Sequence, residues 1–289
     1  MTDSVKKKKN LRGFRAIWHQ FCHNPLAVFG LAIVILLFLT AIFADKIAPF
    51  KFSKQNLMMA YTAPCKEFWF GTDEFGRDIF SRIVYGARIS LFVGFIAVGI
   101  STVAGGLLGA LAGYYGGKLD NIIMRGMDIL LSIPQMMLAI SIAASLGPGL
   151  YNLMIAVGIS AVPSYARIVR GSVLTLQGQE FVEAARAVGS SDWRIIMKHI
   201  IPNSMAPIIV QSTLGVASAI LNAAGLSFIG LGIQPPTPEW GAMLSGGRSY
   251  IRNYPYMTLF PGLAIMITIM ALNFLGDGLR DALDPKLKR

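Results

Sequence analysis

Charge is what this 289-residue chain has least of: 14% of its residues are Asp, Glu, Lys or Arg, against about 25% in an ordinary soluble domain, and 54% are hydrophobic. Disordered chains are rich in charge and poor in apolar residues, so this balance excludes disorder and sets soluble enzymes aside. Cysteine is nearly absent, with Cys22 and Cys65 far apart, which excludes a disulfide-stapled scaffold. Of the three histidines, His19 and His23 precede the first long apolar run and His199 lies in a basic loop. No His-Glu-x-x-His or Gly-x-Ser-x-Gly occurs, so no catalytic residue can be nominated. No Gly-x-x-x-x-Gly-Lys-Ser/Thr loop occurs either, so the chain is not expected to bind ATP, and any uphill work must draw its energy from another polypeptide.

What is present is a set of uncharged runs. Residues 16 to 44, 89 to 117, 129 to 166, 199 to 238 and 253 to 276 contain no Asp, Glu, Lys or Arg. A helix needs roughly 20 apolar residues to cross the hydrocarbon layer. The third run is too long for one helix and is interrupted by Gly147-Pro148-Gly149, a turn sequence. Six spans result, at about 26 to 44, 89 to 112, 127 to 146, 151 to 168, 205 to 231 and 257 to 276. A large soluble bundle would show one apolar stripe per helix, whereas Leu31 to Leu39 is apolar all round. A cleaved signal peptide fits the first span poorly, because its apolar core is long and Ala44-Asp45-Lys46 is a poor cleavage site.

Six spans put both termini on one side, and basic residues say which. Lys6 to Lys9, Arg12 and Arg15 precede the first span. Arg280, Lys286, Lys288 and Arg289 follow the last, and Arg167, Arg170, Arg186, Arg194 and Lys198 lie between the fourth and fifth. By the positive-inside rule these segments are cytoplasmic. The net charge of +11, which in a soluble protein would suggest nucleic acid, is then largely topology, and no nucleic-acid partner is expected.

Carriers driven by proton or sodium gradients place ionisable groups at membrane depth, and these spans have almost none. Arg125 and Asp128, three apart at the start of the third span, are expected to form an interfacial ion pair. The intramembrane polar groups are neutral: Gln135, Gln211, Asn222 and Asn273 either line an aqueous path or bond between helices. Gly105, Gly109, Gly113 and Gly117 form a flat strip for close helix approach, within the chain in preference to between subunits.

The loop between the fourth and fifth spans is the most informative segment. Phe181, Ala184, Ala185 and Val188 fall at i, i+3, i+4 and i+7, with Glu180, Glu183 and Arg186 opposite, which predicts an amphipathic helix over 179 to 188 ended by Gly189. Ser191 or Asp192 then caps a second helix with Trp193, Ile196, Met197 and Ile200 on its apolar face, stopped by Pro202. Two such helices make a knob that either docks on a partner or lies on lipid, for which Trp193 is suited.

Glu183-Ala184-Ala185, then Gly189, then His199-Ile200-Ile201-Pro202 resembles the coupling loop of ABC importer permeases, with His199 and Ile201 in place of the usual Ile and Leu. Phe70 to Leu91, Leu226 to Gly241 and Leu275 to Pro285 resemble the second-permease (C-type) subunits of the dipeptide, oligopeptide and nickel importers, so that the likeness runs from about residue 11 to 285. The resemblance implies an all-α polytopic membrane protein of six transmembrane helices with type I importer permease architecture, in a bacterial inner membrane. Its expected organisation is a cytoplasmic N-terminal segment 1–25, a first helix 26–44, an outer segment 45–88, a permease core 89–276 with a coupling loop 171–203, and a cytoplasmic tail 277–289.

The resemblance also implies partners: a second permease, two cytoplasmic ATPases carrying ATP and Mg, and an outer substrate-binding protein, with no cofactor on this chain. The knob would sit in a cleft of an ATPase, with Ala184 and Ala185 allowing close approach, Gly189 the bend, and Glu183 bonding within the loop or to the partner. The outer motif with Gly71, Thr72, Asp73, Gly76, Arg77 and Asp78 would be a fixed cap or a docking surface. Gln234 to Trp240 would be a rigid outer loop, and 243 to 256 would help line the entrance. Di- or oligopeptides are the expected cargo, with nickel or a metal chelate second because no Cys, His or carboxylate cluster occurs in the spans. An autonomous channel or gradient-driven carrier is the competitor from another class.

Overall fold

The computed structural model describes residue 15 and residues 17–283. The basic clusters at Lys6 to Arg12 and Lys286 to Arg289 fall outside these described residues. Ten helices organise the fold: α1 (Pro25–Ile42), α2 (Ile79–Tyr115), α3 (Gly117–Leu131), α4 (Gln135–Leu146), α5 (Leu150–Gln177), α6 (Glu180–Ala187), α7 (Asp192–Ile195), α8 (Met205–Phe228), α9 (Trp240–Gly247) and α10 (Tyr256–Leu283). Five of them, α1, α2, α5, α8 and α10, are long and apolar enough to cross a membrane. Together α3 and α4 make a sixth candidate crossing.

Local chemistry sets the helix starts. The Asn24 side chain accepts from the N–H groups of Leu26 and Ala27, and Pro25 takes the first turn, where its missing N–H costs nothing. Asp78 accepts from the Ser81 N–H at 2.8 Å to start α2. The 37 residues of α2 run about 55 Å, well beyond the charge-free 89 to 112. Two other spans also outrun their uncharged cores, because charged residues continue a helix once it leaves the lipid: α5 carries Arg167 and Arg170, and α10 reaches Leu283 past Asp277 and Arg280.

The third span differs most from expectation. In place of one helix over 127 to 146, α3 and α4 meet at 89°, across Ser132-Ile133-Pro134. Pro134 has no N–H to continue the ladder and disfavours helical geometry in the residue before it. No residue of α3 is buried. Two arginines of α5 hold it instead: Arg170 Nε and Nη2 reach Asp120 at 2.5 and 2.6 Å, and Arg167 reaches Asp128 at 2.7 Å. The expected Arg125–Asp128 pair is therefore replaced by Arg167–Asp128.

At the centre, α2 lies along α5. A Cβ at Gly105 would stand 2.6 Å from the Val162 carbonyl oxygen, and one at Gly109 or Gly113 would meet the backbone of Ala166 or Arg170. The strip is used within the chain. Gly117 does not share it; it starts α3 at φ +55° with open space around it. Around this pair, α8 packs on α2 and α10, and α1 packs on α10. Only Ala27, Gly30, Val34 and Ala41 of α1 are buried, leaving Phe29, Ile35, Leu36 and Leu39 outward, as a lipid-facing helix requires.

Candidate functional site

The residues singled out by sequence gather at two ends of α2, separated by its length. At one end lies the loop. Gly189 has φ +75°, and the Gly189 and Ser190 N–H groups donate to the carbonyls of Arg186 and Ala185 at 2.9 and 3.1 Å. This left-handed cap closes α6 and turns the chain toward α7. From Asp192 the helical path runs through a wide turn at Ile196–Ile200 into Ile201–Asn203. Pro202 lies within that last piece, whose helical path ends one residue beyond it, at Asn203. The turn breaks at Ser204.

Half of each expected apolar face turns inward: Phe181 and Ala185 on the first, Ile196 and Ile200 on the second. Val182 and Ala185 of α6, and Ile195, Ile196 and Ile200 after the bend, pack on Ala110 and Tyr114 of α2, Val169 and Val173 of α5, and Ile208 of α8. Ala184 is exposed, Val188 is 80% exposed, Trp193 57% and Met197 40%. Two neighbouring stripes of α6 are both apolar, and the ends of α2 and α5 select the one carrying Val182. In the second stretch the wide turn rotates the register and swings Met197 outward. The result is a clamped knob with a second, outward apolar face, beside which Glu183 is exposed and His199 half-buried.

One residue that sequence reasoning passed over anchors the knob. The Tyr114 hydroxyl donates to Asp192 Oδ1 at 2.6 Å, the Arg186 guanidinium lies 5.2 Å over its ring, and Gln177 Nε2 donates to its carbonyl at 2.7 Å. Tyr114 therefore joins both loop helices to α2 and α5.

The opposite end holds the outer motif, all of it buried. Asp73 Oδ1 accepts from the N–H groups of Phe75 and Arg77, and its Oδ2 takes Arg77 Nε at 2.6 Å with Arg82 Nε at 3.6 Å. Thr72 donates to the Met59 carbonyl at 2.5 Å and accepts from the Thr62 N–H. Gly71 (φ +77°) and Gly76 (φ +68°) make the turns, and a Cβ on Gly76 would strike the Asn56 carbonyl. Burial pushes the Asp78 carboxyl up against the hydrogen bonds from Ser81 and Phe80 that lower it. Such a knot fixes the segment and leaves none of the motif side chains free to dock a partner.

Arg82 extends the knot, donating to the carbonyls of Phe52 and Pro236 at 3.3 Å each. Buried Trp240 donates from Nε1 to the Ile83 carbonyl at 3.0 Å. Glu239 caps α9 through the N–H groups of Gly241 and Ala242, and burial pushes its carboxyl up. The signal for Glu239 was present, an acid directly before a short apolar helix, but the surrounding prolines read as loop.

Between the two ends, α2, α4, α5 and α8 line an open cavity of about 120 Å³ with Ser101, Gln135, Ser164, Tyr165, Gln211 and Ser218 among others. Two of the four neutral polar residues picked out by sequence, Gln135 and Gln211, meet here; Asn222 and Asn273 do not line it.

Among the described residues the chain is an all-helical polytopic membrane protein with a broken third crossing, and solved ABC importer chains share its fold. The inward-facing MetNI methionine ABC transporter matches with a TM-score of 0.57 at 20% identity, over 70% of this chain and 96% of that one. The family follows from the sequence comparisons: the chain belongs to the binding-protein-dependent transport system inner membrane components, whose family model matches residues 105–289, and residues 14–64 match the N-terminal TM domain of oligopeptide transport permease C. It is 51% identical to the dipeptide transport system permease protein DppC of Alkalihalophilus pseudofirmus, over 95% of this chain and 90% of that protein. To the glutathione transport system permease protein GsiD of Escherichia coli O6:K15:H31 it is 48% identical, over 98% and 94%. To the di/tripeptide transport system permease protein DppC of Pseudomonas aeruginosa it is 46% identical, over 95% and 92%.

Proposed function

We propose that this permease imports di- and oligopeptides together with a second permease, two ATPases that bind the ATP and Mg, and an outer binding protein that delivers the cargo. The observation that carries the cargo is the 51% identity to a dipeptide permease along nearly the whole chain, joined by relatives named for di/tripeptide and glutathione transport. Nickel or a metal chelate, the alternative expected from the sequence, is not favoured by these relatives. The loop end faces the cytoplasm, with the termini, because Arg186, Arg194 and Lys198 concentrate there.

The outward face of Ala184, Val188, Trp193 and Met197, with Glu183 beside it, fits a cleft on an ATPase as an amphipathic helix fits a groove. Its inward face grips α2, α5 and α8, so a push on the knob moves those helices as one. The chain itself performs no chemistry in this scheme. The test is uptake by the transporter reconstituted in vesicles. ATP-dependent accumulation of a labelled dipeptide supports the reading; accumulation of nickel in place of peptide, or peptide uptake driven by an ion gradient without the ATPases, overturns it.

A further inference from the structure

The 89° break that replaces a straight third crossing sets Gln135 at the start of α4, on the wall of the central cavity. On α8, Gln211 and Ser218 line the same cavity two turns apart, about 10 Å along the axis. That distance is the reach of roughly three residues of extended peptide.

Of the lining hydroxyls of α2 and α5, those of Ser101 and Tyr165 are already engaged. Ser101 donates toward the carbonyls of Ala97 and Gly158 at 2.9 and 2.8 Å, and the Tyr165 hydroxyl donates to the Gln211 carbonyl at 3.2 Å. The side-chain amides of Gln135 and Gln211 have no hydrogen-bond partner among the described residues. Gln135 is exposed and Gln211 half-buried, so both amides are open to whatever occupies the cavity. Each offers two donors and an acceptor, the complement of a peptide unit. Carboxylate and imidazole are missing from the lining, which makes it a poor seat for a bare divalent cation.

At about 120 Å³ the cavity falls short of the roughly 300–1,000 Å³ of a complete small-molecule site, so it is one wall, completed by the second permease. We propose that Gln135 and Gln211 are cargo-contact residues that exchange hydrogen bonds with the main-chain amides of a peptide in transit. This rests on the peptide reading above and deepens it: the permease handles the backbone common to all peptides, and side-chain choice lies elsewhere.

The experiment uses the whole transporter in vesicles with dialanine and its backbone N-methylated analogue. The double variant Gln135→Leu, Gln211→Leu loses about tenfold in dialanine uptake, the equivalent of one or two hydrogen bonds, and keeps ATP hydrolysis stimulated by the loaded binding protein. Its loss is smaller for the N-methylated analogue. As a measurement that leaves the amides intact, Ser218→Cys in a Cys22→Ser, Cys65→Ser background reacts with a water-soluble thiol reagent, and dialanine turnover slows the reaction. Unchanged dialanine uptake in the double variant, or a thiol at 218 that never reacts or is never protected, overturns the inference alone. Wild-type vesicles that accumulate no dialanine overturn the peptide reading with it.

Discussion

The Tyr114 hydroxyl, at the end of the longest helix, holds Asp192 of the loop at 2.6 Å, so the knob and the helix that runs the height of the protein are one piece. Tyr114→Phe keeps the ring under Arg186 and removes only this bond. Its net loss is about 0.5–1.5 kcal/mol. We expect an inserted protein that still binds the ATPases but imports less peptide per ATP hydrolysed. A ratio equal to wild type would show that the bond carries no motion.

Gly189 is surrounded by open space, and only its φ of +75° restricts what replaces it. Gly189→Asn, tolerant of the left-handed region, is expected to keep most uptake. Gly189→Val, costing about 1–3 kcal/mol in local strain, is expected to abolish uptake and weaken co-purification of the ATPases while the protein still inserts. Uptake assays and pull-downs on the pair separate backbone conformation from side-chain bulk.

Asp73 is the hub of the outer knot, with its carboxylate shared by Arg77 and Arg82. Removing one partner of a buried pair strands the others, a loss of about 3–5 kcal/mol. Asp73→Ala should therefore lower the thermal midpoint of the detergent-purified permease by many degrees. Lys66→Ala, at an exposed charge, should leave it unchanged.

The glycine strip gives an internal control. A Cβ at Gly109 would meet the backbone of Ala166, whereas one at Gly106 meets nothing within 4 Å. Gly109→Val should separate α2 from α5 and remove the protein from the membrane fraction. Gly106→Val, one face away, should leave its level near wild type.

The spans were legible because lipid tolerates so little charge that uncharged runs mark them directly. The same reasoning hides the broken third crossing: no charge interrupts 129 to 146, and a lone Pro134 marks a break less plainly than Gly147-Pro148-Gly149. In the loop, helix periodicity locates α6 and the bend at Gly189 but puts Val188, Trp193 and Met197 on one face with residues that turn inward. Period alone does not choose between adjacent apolar stripes; the ends of α2 and α5 do, and they lie far off in sequence. Tyr114 was silent for the same reason, 78 residues from its partner. Asp73 and Arg77 belong to a motif legible as a cap or a docking surface, and nothing in their spacing marks them as buried.

The central claim is that the outward face of the knob docks on an ATPase and does not rest on lipid. Val188 tests it most directly, being 80% exposed and remote from the clamped face. With Cys22→Ser and Cys65→Ser removing the native thiols, Val188→Cys is treated in the assembled transporter with a short bifunctional thiol reagent. A crosslink to an ATPase subunit, its yield altered by ATP, is the expected result. A thiol that never joins an ATPase and reacts instead with a lipid-phase probe would contradict the account.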